Sequence, residues 1–158
     1  MPHGEHKYRV SVQWTGNRGS GTSGYREYGR DHTIHAGSKP DILGSSDAAF
    51  LGDAGRWNPE DLLVACASAC HKLWYLHLCS DAGIAVLDYL DHAEGTMVDT
   101  PHQGQFTKIV LHPHVIIRAE DDRDLAERLH HMAHEKCYIA NSVNFPIVCE
   151  PTVELSAS

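Results

Sequence analysis

Apolar and polar positions alternate from Tyr8 to Trp14, with Tyr8, Val10, Val12 and Trp14 on one side, which predicts a half-buried strand. Gly16, Gly19, Gly21 and Gly24 then mark a tightly turned segment, and residues 25–35 offer further sheet to pair with that strand. Residues 36–58, rich in Gly, Ser and Asp, read as loop anchored by Leu43, Phe50, Leu51 and Trp57. At Asn58 the pattern changes to a helical period. Asn58 suits the N-cap and Pro59 the first helical position, while Glu60 and Asp61 complement the exposed amides of the first turn. Leu62, Cys66, Ala69, Leu73 and Leu76, with Leu63, Cys70 and Trp74 alongside, form an apolar face. So much of this run is apolar or small that the helix is expected to be covered on most sides, ending at Asp81-Ala82-Gly83.

Beyond it, Ile84–Tyr89, Ala93–Val98, Phe106–Leu111 and Val115–Arg118 read as strands, with Pro113 suited to a bulge, a break or an edge. A second helix is predicted over Asp124–Cys137, with Leu125, Leu129, Met132 and Ala133 on its apolar face, before Val143–Val148 and Thr152–Leu155 return to sheet. This order predicts a single α+β domain over residues 1–158, built on a mostly antiparallel sheet and two main helices.

Composition narrows the classes of function. The chain has 158 residues, 42% hydrophobic and 22% charged, as in a globular protein. Its 13 basic and 21 acidic residues give a formal charge of -8, and no stretch concentrates Lys and Arg, so neither nucleic acid nor a membrane is an expected partner. Met1–His6 has no apolar core, so no signal peptide is expected, nor any segment of membrane-span length. Five cysteines, odd in number and irregularly spaced, do not form a secreted disulfide framework and point to a reducing cytoplasm.

The candidate chemistry lies in two of those cysteines. Cys70 sits well inside the first helix and Cys137 closes the second. A cysteine is nucleophilic only as thiolate, and Cys70 is too far from the helix start for the end effect to dominate, so it needs a cation from elsewhere. Arg18, in a glycine-rich loop able to approach a helix closely, is the candidate, and Glu60 could hold its guanidinium as a bidentate partner. Taken singly, each residue also has an ordinary reading: inert core thiols, a solvated arginine, a first-turn glutamate. A competing constellation sets His130, His131, His134 and Cys137 along the second helix, from which Cys70, Cys137, His134 and one further group could hold a metal. Against it, there is no compact Cys-x-x-Cys pair, and a histidine-rich amphipathic helix is also an ordinary half-solvated face. No Asp or Asn is placed to orient a histidine against Cys70 for thiol hydrolysis.

Several stretches together resemble one family. In Asn58-Pro59-Glu60-Asp61-Leu62-Leu63, Ser68-Ala69-Cys70, and Cys137 followed by Ala140-Asn141-Ser142, the chain resembles the OsmC/Ohr proteins. These are the osmotically inducible and organic hydroperoxide resistance proteins. Trp14-Thr15-Gly16 and Arg18–Thr22 fit as well. The resemblance implies an OsmC-like α+β fold forming an intertwined homodimer, and a cysteine-based peroxidase that needs no cofactor. Cys70 would be the peroxidatic thiol attacking an organic hydroperoxide, and Cys137 the resolving thiol whose disulfide a cellular dithiol reduces. Arg18 would stabilise thiolate and developing oxyanion, with Glu60 orienting it; Arg26 or Arg30 could serve instead. Tyr138 stands where the family usually has Pro, and His71–Tyr75 is bulkier and more polar than its usual run, which suggests a distinct subfamily. The alternative on the same scaffold is a small-ligand or metal-binding protein without efficient turnover.

Overall fold

The computed structural model describes residues 3–157; Met1 and Pro2, part of the N-terminal stretch discussed above, and Ser158 lie outside the described residues. The chain divides into two compact units, one reaching to Leu62 and the other beginning at Leu63.

In the first unit, β1 (Ser11–Trp14), β2 (His32–His35) and β3 (Ile42–Gly44) form an antiparallel meander, with Trp14 opposite His32 and Thr33 opposite Leu43. The expected pairing of 32–35 with the first strand is present. Residues 25–28 instead form turns, because Arg30 draws their carbonyls inward: its two terminal nitrogens donate to Tyr28 O at 2.5 Å and Tyr25 O at 2.6 Å. The long β1–β2 loop is cinched where Gly29 N–H donates to Gly16 O at 2.7 Å; a Cβ on Gly16 would stand 2.0 Å from Gly29 O, so only glycine allows that approach. The alternation in β1 does not mark a half-buried strand. Tyr8, Val10, Val12 and Trp14 are all exposed, and Tyr8 and Val10 precede the strand, which begins at Ser11.

α1 (Pro59–Asp81) begins as expected: Asn58 Oδ1 accepts the Asp61 N–H at 2.7 Å. It ends in a Schellman motif, with Ile84 N–H donating to Cys79 O at 2.9 Å, Gly83 N–H to Ser80 O at 3.1 Å, and Gly83 at φ 76°. Its buried stripe is not the predicted leucine face. Ala67, His71, Tyr75 and Cys79, each one turn after the last, are buried, whereas Leu73 is 62% exposed and Cys66 and Ala69 are exposed. In a run that is apolar nearly all round, hydrophobicity does not select a side, and shape does. By length and composition α1 could cross a membrane, which corrects the expectation that no segment reaches that size. Its buried stripe packs as part of a core.

The second unit holds β4 (Val86–Asp91), β5 (Glu94–Asp99), β6 (Gly104–Leu111), β7 (Pro113–Ile117), α2 (Arg123–Lys136), β8 (Ile147–Cys149) and β9 (Thr152–Leu155). They make two three-stranded sheets, β4-β7-β9 and β5-β6-β8, in which β8 joins β6 and β9 joins β7 in parallel and the other pairs are antiparallel. Pro113 opens β7, where its missing N–H is tolerated. Tyr75 and Cys79 pack with Val115, Ile117, Leu129, Ala133 and Val153, while Ala67 packs with Ile109, Leu111 and Ile147. The two ends of one helix stripe thus serve different sheets.

α2 is capped by Asp122, whose carboxylate accepts the Leu125 N–H at 3.0 Å. It buries Ala126, Leu129, His130 and Ala133; Met132, predicted on the apolar face, is exposed and His130 lies inside.

Candidate functional site

Cys70 projects from the middle of α1, and Cys137 is the C-cap of α2, its backbone turned to an extended conformation at φ -65°, ψ 114°. Cys70 lies near enough to Cys137 to act on the ionisation of its thiol. Cys137 is only 2% exposed, and the 3-10 turn Ala140–Ser142 folds back over it so that the Ala140 N–H donates to its Sγ at 3.4 Å. Burial pushes the Cys137 thiol up to about 11, opposed by the amides of Ala140 and Ile139 and reinforced by Cys70. Cys137 is therefore held as a thiol. Cys70, half-buried, is the more accessible sulfur of the pair.

Glu60, half-buried, occupies the first turn of α1, and Arg18 lies in the β1–β2 loop; both belong to the first unit. Arg18 is exposed, donates to the Arg26 carbonyl at 3.2 Å and borders a cleft of about 390 Å³ with Asn17, Gly29, Asp31 and Asp53. Of the other two arginines considered, Arg26 is exposed, while Arg30 is committed to two backbone carbonyls and lies over the Tyr25 and Tyr28 rings at 4.6 and 3.9 Å. Arg18 is the freer guanidinium of Arg18 and Arg30.

A second constellation was not anticipated. His71 of α1, His130 of α2 and Cys149 at the end of β8 converge in the second unit. His71 Nε2 and His130 Nδ1 are 3.0 Å apart, and Cys149 Sγ stands 3.5 Å from the first and 3.9 Å from the second. The His130 ring stacks on Tyr75 with centroids 3.7 Å apart, and the Tyr75 hydroxyl donates to Ala126 O at 3.1 Å. Burial lowers His71 to about 4 and His130 to about 3, in both cases reinforced by a neighbouring histidine, and pushes the Cys149 thiol up to about 12. Among the described residues, the ligand-capable cluster that forms is this one and not the predicted set of Cys70, Cys137 and His134. His134, one turn beyond His130 on the same side of α2, is half-buried, whereas His130 is fully buried against His71 and Cys149. The available signal was the four-residue repeat of Ala67, His71, Tyr75 and Cys79, which hides behind the more hydrophobic leucines.

Residues 52–152, well over half of the chain, match the family model described as OsmC-like protein. The chain belongs to the OsmC-like family. The match includes Glu60, Cys70 and Cys137, while Arg18 precedes it. Among solved structures, this OsmC-like chain is similar to an OsmC-like protein of unknown function from Vibrio cholerae, with 28% identity and a TM-score of 0.85 over 94% of this chain and 100% of the other. It shares its fold with the organic hydroperoxide resistance protein OsmC of Legionella pneumophila, at 20% identity and a TM-score of 0.66 over 96% and 98% of the two chains. The organic hydroperoxide resistance protein of Elizabethkingia anophelis is similar too, at 19% identity and a TM-score of 0.63 over 96% and 99%. No curated protein matches the chain. The OsmC-like α+β fold expected from the sequence is thereby established.

Proposed function

We propose that this OsmC-like protein is a thiol peroxidase that reduces organic hydroperoxides through Cys70 and Cys137. The reading is supported by an accessible Cys70 that lies near enough to the buried Cys137 to act on its thiol, the two supplied by different helices. The Cys70 thiolate attacks the distal peroxide oxygen, the O–O bond breaks, and with one proton the products are a Cys70 sulfenic acid and an alcohol. The Cys137 thiol then condenses with the sulfenic acid, forming the disulfide and releasing water, and a cellular dithiol returns both sulfurs to the reduced state. A buried resolving thiol kept protonated does not compete for peroxide, so its high pKa suits the second step. Relatives of the same fold that are named organic hydroperoxide resistance proteins support the substrate class.

Arg18 keeps its proposed role as the guanidinium that stabilises the Cys70 thiolate and the developing oxyanion, with Glu60 as its orienting carboxylate. The protein is proposed to act as a homodimer in a reducing cytoplasm. The exposed positions Cys66, Ala69 and Leu73 of α1 support the first, and the odd, irregularly spaced set of five cysteines the second.

Titrating the reduced protein with an organic hydroperoxide, counting free thiols and mapping new disulfides by mass spectrometry tests the reading. Loss of two thiols per chain as a Cys70–Cys137 bond is expected. Unchanged thiols in a large peroxide excess would overturn it.

A further inference from the structure

The His71–His130–Cys149 cluster shares no residue with the thiol pair, and its geometry is that of a ligand set. Zinc bonds imidazole nitrogen at about 2.0–2.1 Å and thiolate sulfur at about 2.3 Å. Donor separations of 3.0, 3.5 and 3.9 Å admit a single point at those bond lengths from all three atoms. The angles there come to roughly 95°, 105° and 125°, near the tetrahedral value. Their sum falls below a full circle, so such an ion would sit out of the plane of the three donors and keep a fourth position open. We propose that Nε2 of His71, Nδ1 of His130 and Sγ of Cys149 bind one zinc-class transition-metal ion.

Unmet polar atoms lie beside the cluster. Among the described residues, the buried side-chain polar atoms without a hydrogen-bond partner are His71 Nδ1, His130 Nε2 and Tyr89 Oη. Two are the far nitrogens of the paired imidazoles, and the third belongs to a phenol close enough to Cys149 to be affected by its charge. These atoms are not the proposed donors; they show that the two buried imidazoles are poorly satisfied by protein partners on their far sides. Two imidazoles 1% and 2% exposed bond to each other and to Cys149 through one nitrogen each, and leave the other nitrogen of each ring bare.

The chemistry of the donors fits. Both imidazoles remain neutral at pH 7, as a metal requires, and a coordinating thiol is deprotonated outright by the ion. On binding, the imidazole that donates the shared hydrogen bond moves its proton to its far nitrogen, and the Cys149 proton leaves to solvent. Imidazole with thiolate selects zinc-like borderline ions over calcium or magnesium. A cleft of about 380 Å³ lined by His130, His134, Ile147 and Cys149 gives the ion a path in.

Cobalt(II) is the probe, because its bond to thiolate gives a near-ultraviolet charge-transfer band that histidine alone does not. Untagged protein equilibrated with Co²⁺ and washed with a weak chelator should keep one ion per chain, show that band, and lose it when Zn²⁺ is added. The band should persist in the Cys70→Ser/Cys137→Ser variant, vanish in Cys149→Ser, and require more than about tenfold more Co²⁺ in His130→Gln. Zinc K-edge absorption on the unaltered protein, which needs no variant to fold, should show one sulfur at about 2.3 Å together with imidazole nitrogens. Failure to retain stoichiometric ion, an all-nitrogen zinc environment, or a band surviving Cys149→Ser would overturn the proposal. The peroxide titration is untouched by any of these results, since Cys70 and Cys137 take no part in them.

Discussion

Cys137 and Cys70 differ in what the surrounding chain does to each sulfur. Cys137 is enclosed by its own 3-10 turn, while Cys70 is partly open. Under the proposed cycle, Cys70→Ser should abolish peroxide consumption. Cys137→Ser should leave one turnover and then strand Cys70, which excess peroxide drives to the sulfinic acid, visible by intact mass as two added oxygens. The paired histidines make a separate prediction about stability. Their folded values, about 4 and about 3, lie below the ordinary 6.5, so below that pH the unfolded chain takes up protons that the folded one refuses. Their contribution to stability is intact above pH 6.5 and is lost as pH falls toward 4. The two groups together give a slope of up to about 2–3 kcal/mol per pH unit. Urea midpoints measured between pH 7 and 4.5 should fall accordingly, and His71→Gln should reduce the slope by about half.

At the scale of elements, α1 carries most of what the fold demands. Its ends were readable in the chain, because Asn58-Pro59 and Gly83 act through local hydrogen bonds that hardly depend on the rest of the molecule. Gly83→Ala, which puts a Cβ on a residue at φ 76°, should cost about 1 kcal/mol in denaturant unfolding, with the thiol pair unaffected. The buried face was not readable. Leucine outranks histidine and tyrosine on any hydropathy scale, yet Tyr75 is 0% exposed and bears on both His130 and Ala126. Tyr75→Ala should therefore destabilise by about 3–5 kcal/mol, a loss normally associated with the largest core aromatics. Tyr75→Phe, which removes only the hydroxyl bond to Ala126, should cost about 1 kcal/mol. The same blindness hid the histidine cluster. His71, His130 and Cys149 come from three elements distant in sequence, and no spacing rule connects them. Cys70 and Cys137 are equally distant, and it was the family resemblance of the motifs around them that singled them out as candidates.

For the whole molecule, the exposed Leu73 of α1, flanked by exposed Cys66 and Ala69, is the part left unexplained by a single chain. The sequence suggested a helix covered on most sides, and the described chain leaves Leu73 in the open. The proposed homodimer accounts for it. Sedimentation should give about twice the 17.5 kDa chain mass, and Leu73→Asp, a charge placed on that side, should shift the protein toward monomer or raise the dissociation constant by more than about tenfold. A mass of one chain at micromolar concentration would remove the dimer from the account.

The topology also sets an order in time. β6 and β7 each wait for a parallel neighbour supplied by residues 147–155, and Cys149 belongs to that same last stretch. While the ribosome still holds this segment in its exit tunnel, both sheets of the second unit lack a strand and two imidazoles lack their sulfur. The earlier strands must then remain soluble with open edges, the condition under which nascent chains pair wrongly with one another. One nine-residue stretch therefore completes both sheets and supplies the sulfur beside the paired imidazoles.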